Sequence, residues 1–426
     1  MRLARRVLTG GFFAFSVAAL SACGGSAATS TQGATSASVT GGGKVVDIYS
    51  SLPMRGPAAT QTLALVNGIR LALAQAKTRA GLFTVHYTSL DDSDSGGGWD
   101  ATHTAANARR AAADPRAVYY IGEFDNDASE VSMPILNQAG IPQVSPSNTY
   151  VGLTTEDPGS APGEPRRYWP TGTRTYLRIV PLDSAQGAAV LEAMKQAGCA
   201  RVTVADDQEP YGAGLAKLVE LEKGYYGIDL VSSSSIQPSA SAFQAYAARA
   251  GATRADCFLL AATASRAAVQ LTTAVHAALP TAKIFAPAAM CTSSWTNPAE
   301  GGVPAGIDPL IECTAATRSL TAYPGGKAFL AAYKAKYGVA APSPYAILGY
   351  EAMGLGLSTI ARLGANGDSK SAVLSALFST TDRHSVLGSY GFDKNGDTTL
   401  RSYGLYKVAP NGDPMYFRTI TPSRVL

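Results

Sequence analysis

From Val45 onward the sequence alternates short apolar runs with stretches of helical period, and that rhythm is the tightest constraint on its fold. Residues 45–49 read as a strand, and Leu63, Val66, Ile69 and Leu73 then recur at helical spacing. Residues 83–87 predict a strand, 101–113 an Ala-rich helix, 118–121 a strand, 128–138 a helix and 141–144 a fourth strand. Alternation at this pace means parallel βαβ units with helices on both faces of a sheet. Residues 154–173, rich in Pro, Gly and charge, break the rhythm and read as a long loop. A second series follows. It has an extended run at 176–180, a capping box from Asp183 to Gln186, and a stripe of Gly187, Val190, Leu191 and Met194. Then come strands at 201–205, 228–231, 257–260 and 283–286, helices at 212–221 and 264–279, and a second capping box from Ser241 to Gln244. Two such series predict an α/β protein of two doubly wound parallel-sheet lobes. The last third is less regular, with an extended run at 310–315, helices at 327–337, 346–363 and 370–377, and β-like runs at 388–392, 400–408 and 415–420. Asp393-Lys394-Asn395-Gly396-Asp397 has the spacing of the start of a calcium loop, but no Glu stands at the final ligand position, so it reads as an Asn-Gly hairpin turn.

Residues 1–22 read as an export signal. Arg2, Arg5 and Arg6 precede an apolar stretch at 12–20 that is too short to span a bilayer. It ends in Leu20-Ser21-Ala22-Cys23, which resembles a bacterial lipobox. That resemblance implies a lipoprotein signal peptide, with Cys23 carrying a diacylglycerol at the mature N-terminus. Residues 23–43 are then a flexible Gly/Ser/Thr/Ala tether, spanning about 25 Å as a random coil. Removing the signal takes three arginines and no acid, so the net charge falls from +4 to +1. No basic stripe suits a nucleic acid, and no later segment is apolar enough to cross a membrane.

The order of the blocks in the body resembles a known family. Tyr120-Ile121-Gly122 is followed by a short loop and helix, then by Gly140-Ile141-Pro142-Gln143-Val144-Ser145-Pro146-Ser147-Asn148-Thr149. Asp206-Asp207-x-x-Pro210-Tyr211-Gly212-x-Gly214-Leu215 and Gly391-Phe392-Asp393-x-Asn395-Gly396-Asp397 come later. These blocks are similar to those of the extracytoplasmic solute-binding proteins of ABC importers, the branched-chain amino-acid (Leu/Ile/Val-binding, type I periplasmic) receptors. The resemblance runs from about Val45 to Val408. It implies two lobes joined by crossing strands, which close on a small ligand. Lobe one would be 45–181 with 318–387, and lobe two 182–317 with 388–426. It also implies an amino acid or small carboxylate as ligand, permease subunits of an ABC transporter as partners, and no enzymatic activity, cofactor or metal. The chain would be a monomer, lipid-anchored at the outer face of the cytoplasmic membrane. A sensory binding module would share the same fold.

Site residues carry over by position. Asn126 stands where the family has a Ser that binds the ligand's carboxylate. Ser147, Asn148 and Thr149 supply backbone and hydroxyl contacts, and Leu52 and Pro53 line the cleft. Tyr211 and Thr263 come from lobe two. One departure stands out. The family places an acid for the ligand's ammonium after the strand at 283–286, and here Ala288-Ala289-Met290 follows it. Asp125, Asp127, Asp206 and Glu209 are the candidates to replace it. The Asp91-Asp92-Ser93-Asp94 run reads as a solvated loop.

Four cysteines remain after Cys23, an even number in an exported chain, which favours disulfides over buried thiols. Of three connectivities, Cys291–Cys313 is favoured because both lie near ends of successive second-lobe strands. Cys199–Cys257 then follows at the starts of two strands. An enzyme finds little support: the sequence has no Gly-x-Gly-x-x-Gly after a strand, no phosphate loop and no Gly-x-Ser-x-Gly, and its four His stand apart.

Overall fold

The computed structural model describes residues 44–425; the signal, Cys23 and the tether lie outside the described residues. The first sheet is built from β1 (Val45–Leu52), β2 (Arg79–Ala80), β3 (Phe83–Asp91), β4 (Ala117–Ile121), β5 (Gln143–Ser145) and β6 (Tyr176–Arg178). Its order is β2-β3-β1-β4-β5-β6, parallel except for the β2 edge. α1 (Ala59–Gln75), α2 (Ala101–Ala113) and α3 (Asn126–Gln138) connect these strands. The second series supplies α4 (Asp183–Gln196), β7 (Arg201–Asp206), α5 (Pro210–Tyr226), β8 (Asp229–Ser235), α6 (Ala240–Thr253), β9 (Cys257–Ala261), α7 (Arg266–Ala278) and β10 (Lys283–Ala286). A one-turn α8 (Ser293–Thr296) and β11 (Ile311–Ala315) follow. The chain then returns to the first lobe through α9 (Gly326–Tyr337), α10 (Tyr345–Arg362), α11 (Lys370–Phe378) and a hairpin of β12 (Arg383–Ser385) and β13 (Gly388–Tyr390). It ends with β14 (Tyr403–Val408) and β15 (Pro414–Ile420), which add antiparallel to the second sheet, of order β15-β14-β11-β10-β9-β7-β8. The architecture is the expected pair of α/β lobes.

In each sheet the strand order reverses once, between β1 and β4 and between β7 and β9. The crevice outside the carboxyl ends of strands at such a point is where open α/β sheets bind ligands. Three segments join the lobes: one after Arg178, one after Ala315, and one between Phe392 and Tyr403. The Tyr403 hydroxyl pins two of them together by donating to the Pro181 and Leu182 carbonyls, at 3.0 and 2.9 Å. Gly68 and Gly349 let α1 and α10 cross backbone to backbone. A Cβ on Gly68 would stand 1.9 Å from the Ala346 carbonyl oxygen, and one on Gly349 would stand 2.1 Å from that of Leu65.

Both disulfides form as expected, Cys199–Cys257 and Cys291–Cys313, with Cα separations of 5.8 and 5.5 Å. The long loop at 154–173 is irregular apart from short turns. Several local expectations move. Leu63 is 47% exposed, because α1 turns Leu65, Val66 and Ile69 inward instead. Asp183 is the first residue of α4 and caps nothing through its side chain. Ser239, not Ser241, caps α6, its hydroxyl accepting from the Ala242 amide. Tyr390 and Phe392, placed in lobe two by the 388–426 division, pack in the first-lobe core.

Candidate functional site

The structure gathers Asn126, Ser147, Asn148 and Thr149 at the ends of β4 and β5. Their polar atoms, however, face one another. Ser145 Oγ accepts from the Ser147 and Asn148 amides, which folds the loop back over β4. Ser147 Oγ and Asn148 Nδ2 both donate to the Phe124 carbonyl, at 2.7 and 2.9 Å. Asn148 Oδ1 accepts from Ser129 Oγ and the Tyr176 hydroxyl, and with 1% exposure Asn148 is a buried bolt rather than a free contact. Asn126 Oδ1 accepts from the Thr149 and Tyr150 amides, each at 3.2 Å. Leu52 does not line the cleft: it is wholly buried in the first-lobe core. Pro53 is buried too, its carbonyl taking the Thr62 hydroxyl at 2.5 Å.

Beside this loop lies a group of acids that the sequence did not separate. Asp92, expected in a solvated loop, is fully buried, with Ser51 Oγ donating to it at 3.3 Å. It adjoins Glu123, equally buried, which accepts from the Tyr120 hydroxyl at 2.9 Å. Burial pushes the Asp92 carboxyl up to about 6. Burial and then the Asp92 charge hold Glu123 well above the ordinary glutamate range. Asp125, at the N-terminal cap position of α3, makes no side-chain capping bond. Burial, then the charges of Asp92 and Asp127, push it up to about 7. The Phe124 ring packs on Tyr345 with centroids 5.0 Å apart.

Lobe two reaches this region through α4 and α5. The Asp183 amide donates to the Thr149 carbonyl at 2.9 Å. Burial raises Asp183 to about 6, opposed by Thr149 and Arg178. The Gln186 amide, oriented to satisfy its neighbours, donates to Asp183 Oδ1 at 3.2 Å and to the Tyr211 hydroxyl at 2.8 Å, and accepts from the Ala288 amide at 2.7 Å. A continuous polar chain therefore runs from Thr149 through Asp183 and Gln186 to Tyr211. Thr263 is exposed, its amide tied to Asp207 Oδ2 at 2.9 Å. Sequence reasoning missed Asp183 and Gln186 as site residues because their spacing also fits a capping box.

Arg178 lies under the loop, wholly buried. It donates to the Asn148 and Tyr150 carbonyls at 3.1 and 2.8 Å and to Thr154 Oγ1 at 2.7 Å, and its Nε lies 2.8 Å from Asp397 Oδ1. The Asp393–Asp397 turn is the tight turn expected, bridged between Phe392 and Thr398. A cavity of about 490 Å³ opens next to it, lined among others by Thr155, Glu156, Arg174, Ser184, Asp393 and Arg401. It sits at the joining segments, away from the strand ends. No helix of the described residues is long and apolar enough to cross a membrane.

A family model described as periplasmic binding protein matches residues 49–413. No curated protein matches the chain. Solved structures share the fold at low identity. An ABC transporter substrate-binding protein from Desulfitobacterium hafniense in complex with Leu is 18% identical, with a TM-score of 0.70, over 88% of this chain and 100% of that one. A leucine binding protein from Thermotoga maritima is 23% identical, with a TM-score of 0.64, over 88% and 99%. A solute binding protein from R. palustris in complex with benzoate is 17% identical, with a TM-score of 0.64, over 89% and 98%.

Proposed function

We propose a function from the fact that this chain belongs to the periplasmic binding protein family. It is an extracytoplasmic solute-binding protein. On our reading it captures an amino acid or related small carboxylate between its lobes and hands it, chemically unchanged, to the permease of an ABC transporter. Cys23 would anchor it by lipid to the outer face of the cytoplasmic membrane, where it would work as a monomer without a cofactor. The observation that carries this reading is the polar chain from Thr149 through Asp183 and Gln186 to Tyr211, which ties the loop after β5 to α4 and α5 of the second lobe. Ligand entry would turn Asn126 outward and free the Thr149 and Tyr150 amides for a carboxylate, with the Ser147 hydroxyl beside them. Tyr211 and Thr263 would close from the other lobe. Known proteins of the same fold carry either leucine or benzoate, which brackets the ligand class. The test is a thermal-shift screen of amino acids and small carboxylates on the domain from residue 44. A ligand at one hundred times its Kd adds about 2.7 kcal/mol, a rise of roughly 5 °C. A flat response to the whole panel removes the reading.

A further inference from the structure

We propose that the cavity at the joining segments is a second binding site, for a small oxyanion, separate from the crevice at the strand ends. Its walls come from three places: the long loop between β5 and β6 of the first lobe, with Arg174, the third joining segment, with Arg401, and the first turn of α4 in the second lobe, with Ser184. The cavity measures about 490 Å³. Ser184 is its unsatisfied group. It lines the cavity at only 6% exposure, yet its hydroxyl has no hydrogen-bond partner among the described residues. Ala185 lines the cavity beside it, and the Ser184 and Ala185 amides find no acceptor among the described residues either. α4 runs for 14 residues, and the free amides at the start of such a helix carry partial positive charge.

The surrounding charges set the sign of the ligand. Four acids line the cavity, and three are satisfied within the protein. Asp397 pairs with Arg178 and accepts from the Thr154 hydroxyl at 3.0 Å, and its second oxygen is sealed from solvent. Asp393 Oδ1 accepts from the Asn395 and Asp397 amides at 2.8 and 2.9 Å. Glu156 pairs with Arg166 at 3.6 Å. Asp157 is exposed, where water solvates it. The three cations of the lining, Arg174, Lys394 and Arg401, make no ion pair among the described residues. Arg174 lies over the Trp169 ring, 5.0 Å from its centroid, and donates to the Thr154 carbonyl at 2.7 Å. Burial pulls its pKa down, and the charges of Asp397, Asp393 and Glu156 offset that only in part. A guanidinium presents a planar fork of donors that matches phosphate and carboxylate oxygens. The donors left open in this cavity are therefore cationic or dipolar, and they call for an anion with several oxygens.

The experiment is calorimetry on the full chain with inorganic phosphate and malonate, and with sodium chloride at matched ionic strength as control. The variants are Ser184→Ala, Arg401→Gln and, on α9 outside the cavity lining, Lys334→Gln. Arg401 and Lys334 are both exposed, so neither change threatens the fold. Phosphate or malonate should bind wild type saturably with a Kd at or below about 1 mM, and the tighter of the two identifies the class of oxyanion. Ser184→Ala and Arg401→Gln should each weaken that binding about 10- to 100-fold, the range of one hydrogen bond to a charged group, and Lys334→Gln should leave it within twofold. If neither anion binds wild type at or below about 1 mM, if chloride does as much, or if either cavity variant keeps wild-type affinity within twofold, the oxyanion site falls. Solute capture between the lobes is tested separately and stands or falls by its own screen.

Discussion

Arg178 ties the ligand-side loop to the joining segments, and its removal can be costed. The guanidinium is at 0% exposure and its partner Asp397 at 4%. Burial raises the Asp397 carboxyl and Arg178 opposes that, so the acid depends on its cation to stay charged. In Arg178→Met the Asn148 and Tyr150 carbonyls lose their donor and Asp397 is left buried without its cation. Breaking a buried pair from one side costs about 3–5 kcal/mol. At about 2 °C per kcal/mol for a chain of this size, the melting temperature should fall by roughly 6–10 °C. The loop carrying Thr149 should loosen with it, so ligand affinity should drop even though Arg178 need not touch the ligand. Arg178→Met/Asp397→Leu removes both charges and should recover much of the loss, because an apolar pair of similar volume is often as stable as the ion pair it replaces. The assay is urea unfolding of wild type, both single variants and the double variant. A single Arg178→Met cost below about 1 kcal/mol, or a double variant as unstable as the sum of the singles, would refute the reasoning.

Three further outcomes are expected. Asp92 is raised from 3.8 to about 6, so its stabilising contribution is complete below pH 4 and disappears as pH rises through 6. That rise corresponds to roughly 3 kcal/mol, and Asp92→Asn should flatten the stability–pH curve by a share of it, while an unchanged curve between pH 4.5 and 7.5 would sink the assignment. Replacing both cysteines of a disulfide by serine should cost about 4 kcal/mol for Cys199–Cys257 and about 3 for Cys291–Cys313 on chain entropy, since their sequence separations are 58 and 22. The reverse order in denaturant titrations would show that native packing, not loop length, sets the cost. Cys23→Ala should abolish lipid labelling and release the full-length protein from membranes; retention on the membrane would exclude the lipid anchor.

The fold was legible because two separate signals agree. Apolar runs of strand length recur, and the gaps between them are long enough for a crossover helix. Strands such as Lys283–Ala286 and the helix Ala101–Ala113 stand where the pattern puts them. The two disulfides were legible for the same reason, once strand order suggested which cysteines lie on neighbouring strands. Burial of charge was not legible. Asp91 and Asp92 are adjacent, yet one accepts from the Met54 amide and Arg55 at the surface and the other is sealed beside Glu123. Alternation along β3 decides which is which, and the Gly-rich composition downstream concealed that the strand continues to Asp91.

The same geometry explains why the candidate site was half-read. Asp125, Asn126 and Asp127 look interchangeable as a polar run before a helix. The sequence pattern starts that helix near 128, and in the structure it starts at 126. An earlier start puts Asn126 and Asp127 in the first helical turn, about 100° apart around the axis, and leaves Asp125 at the cap position. With the start fixed at 126, Asp127 is exposed, Asn126 Oδ1 accepts from the Thr149 and Tyr150 amides, and Asp125 stands at the cap position, half-buried and without a capping bond. The three neighbours thus divide into a solvated charge, an acceptor for two loop amides and a half-buried acid at the helix cap. No tally of residue types along 125–127 could have supplied that division.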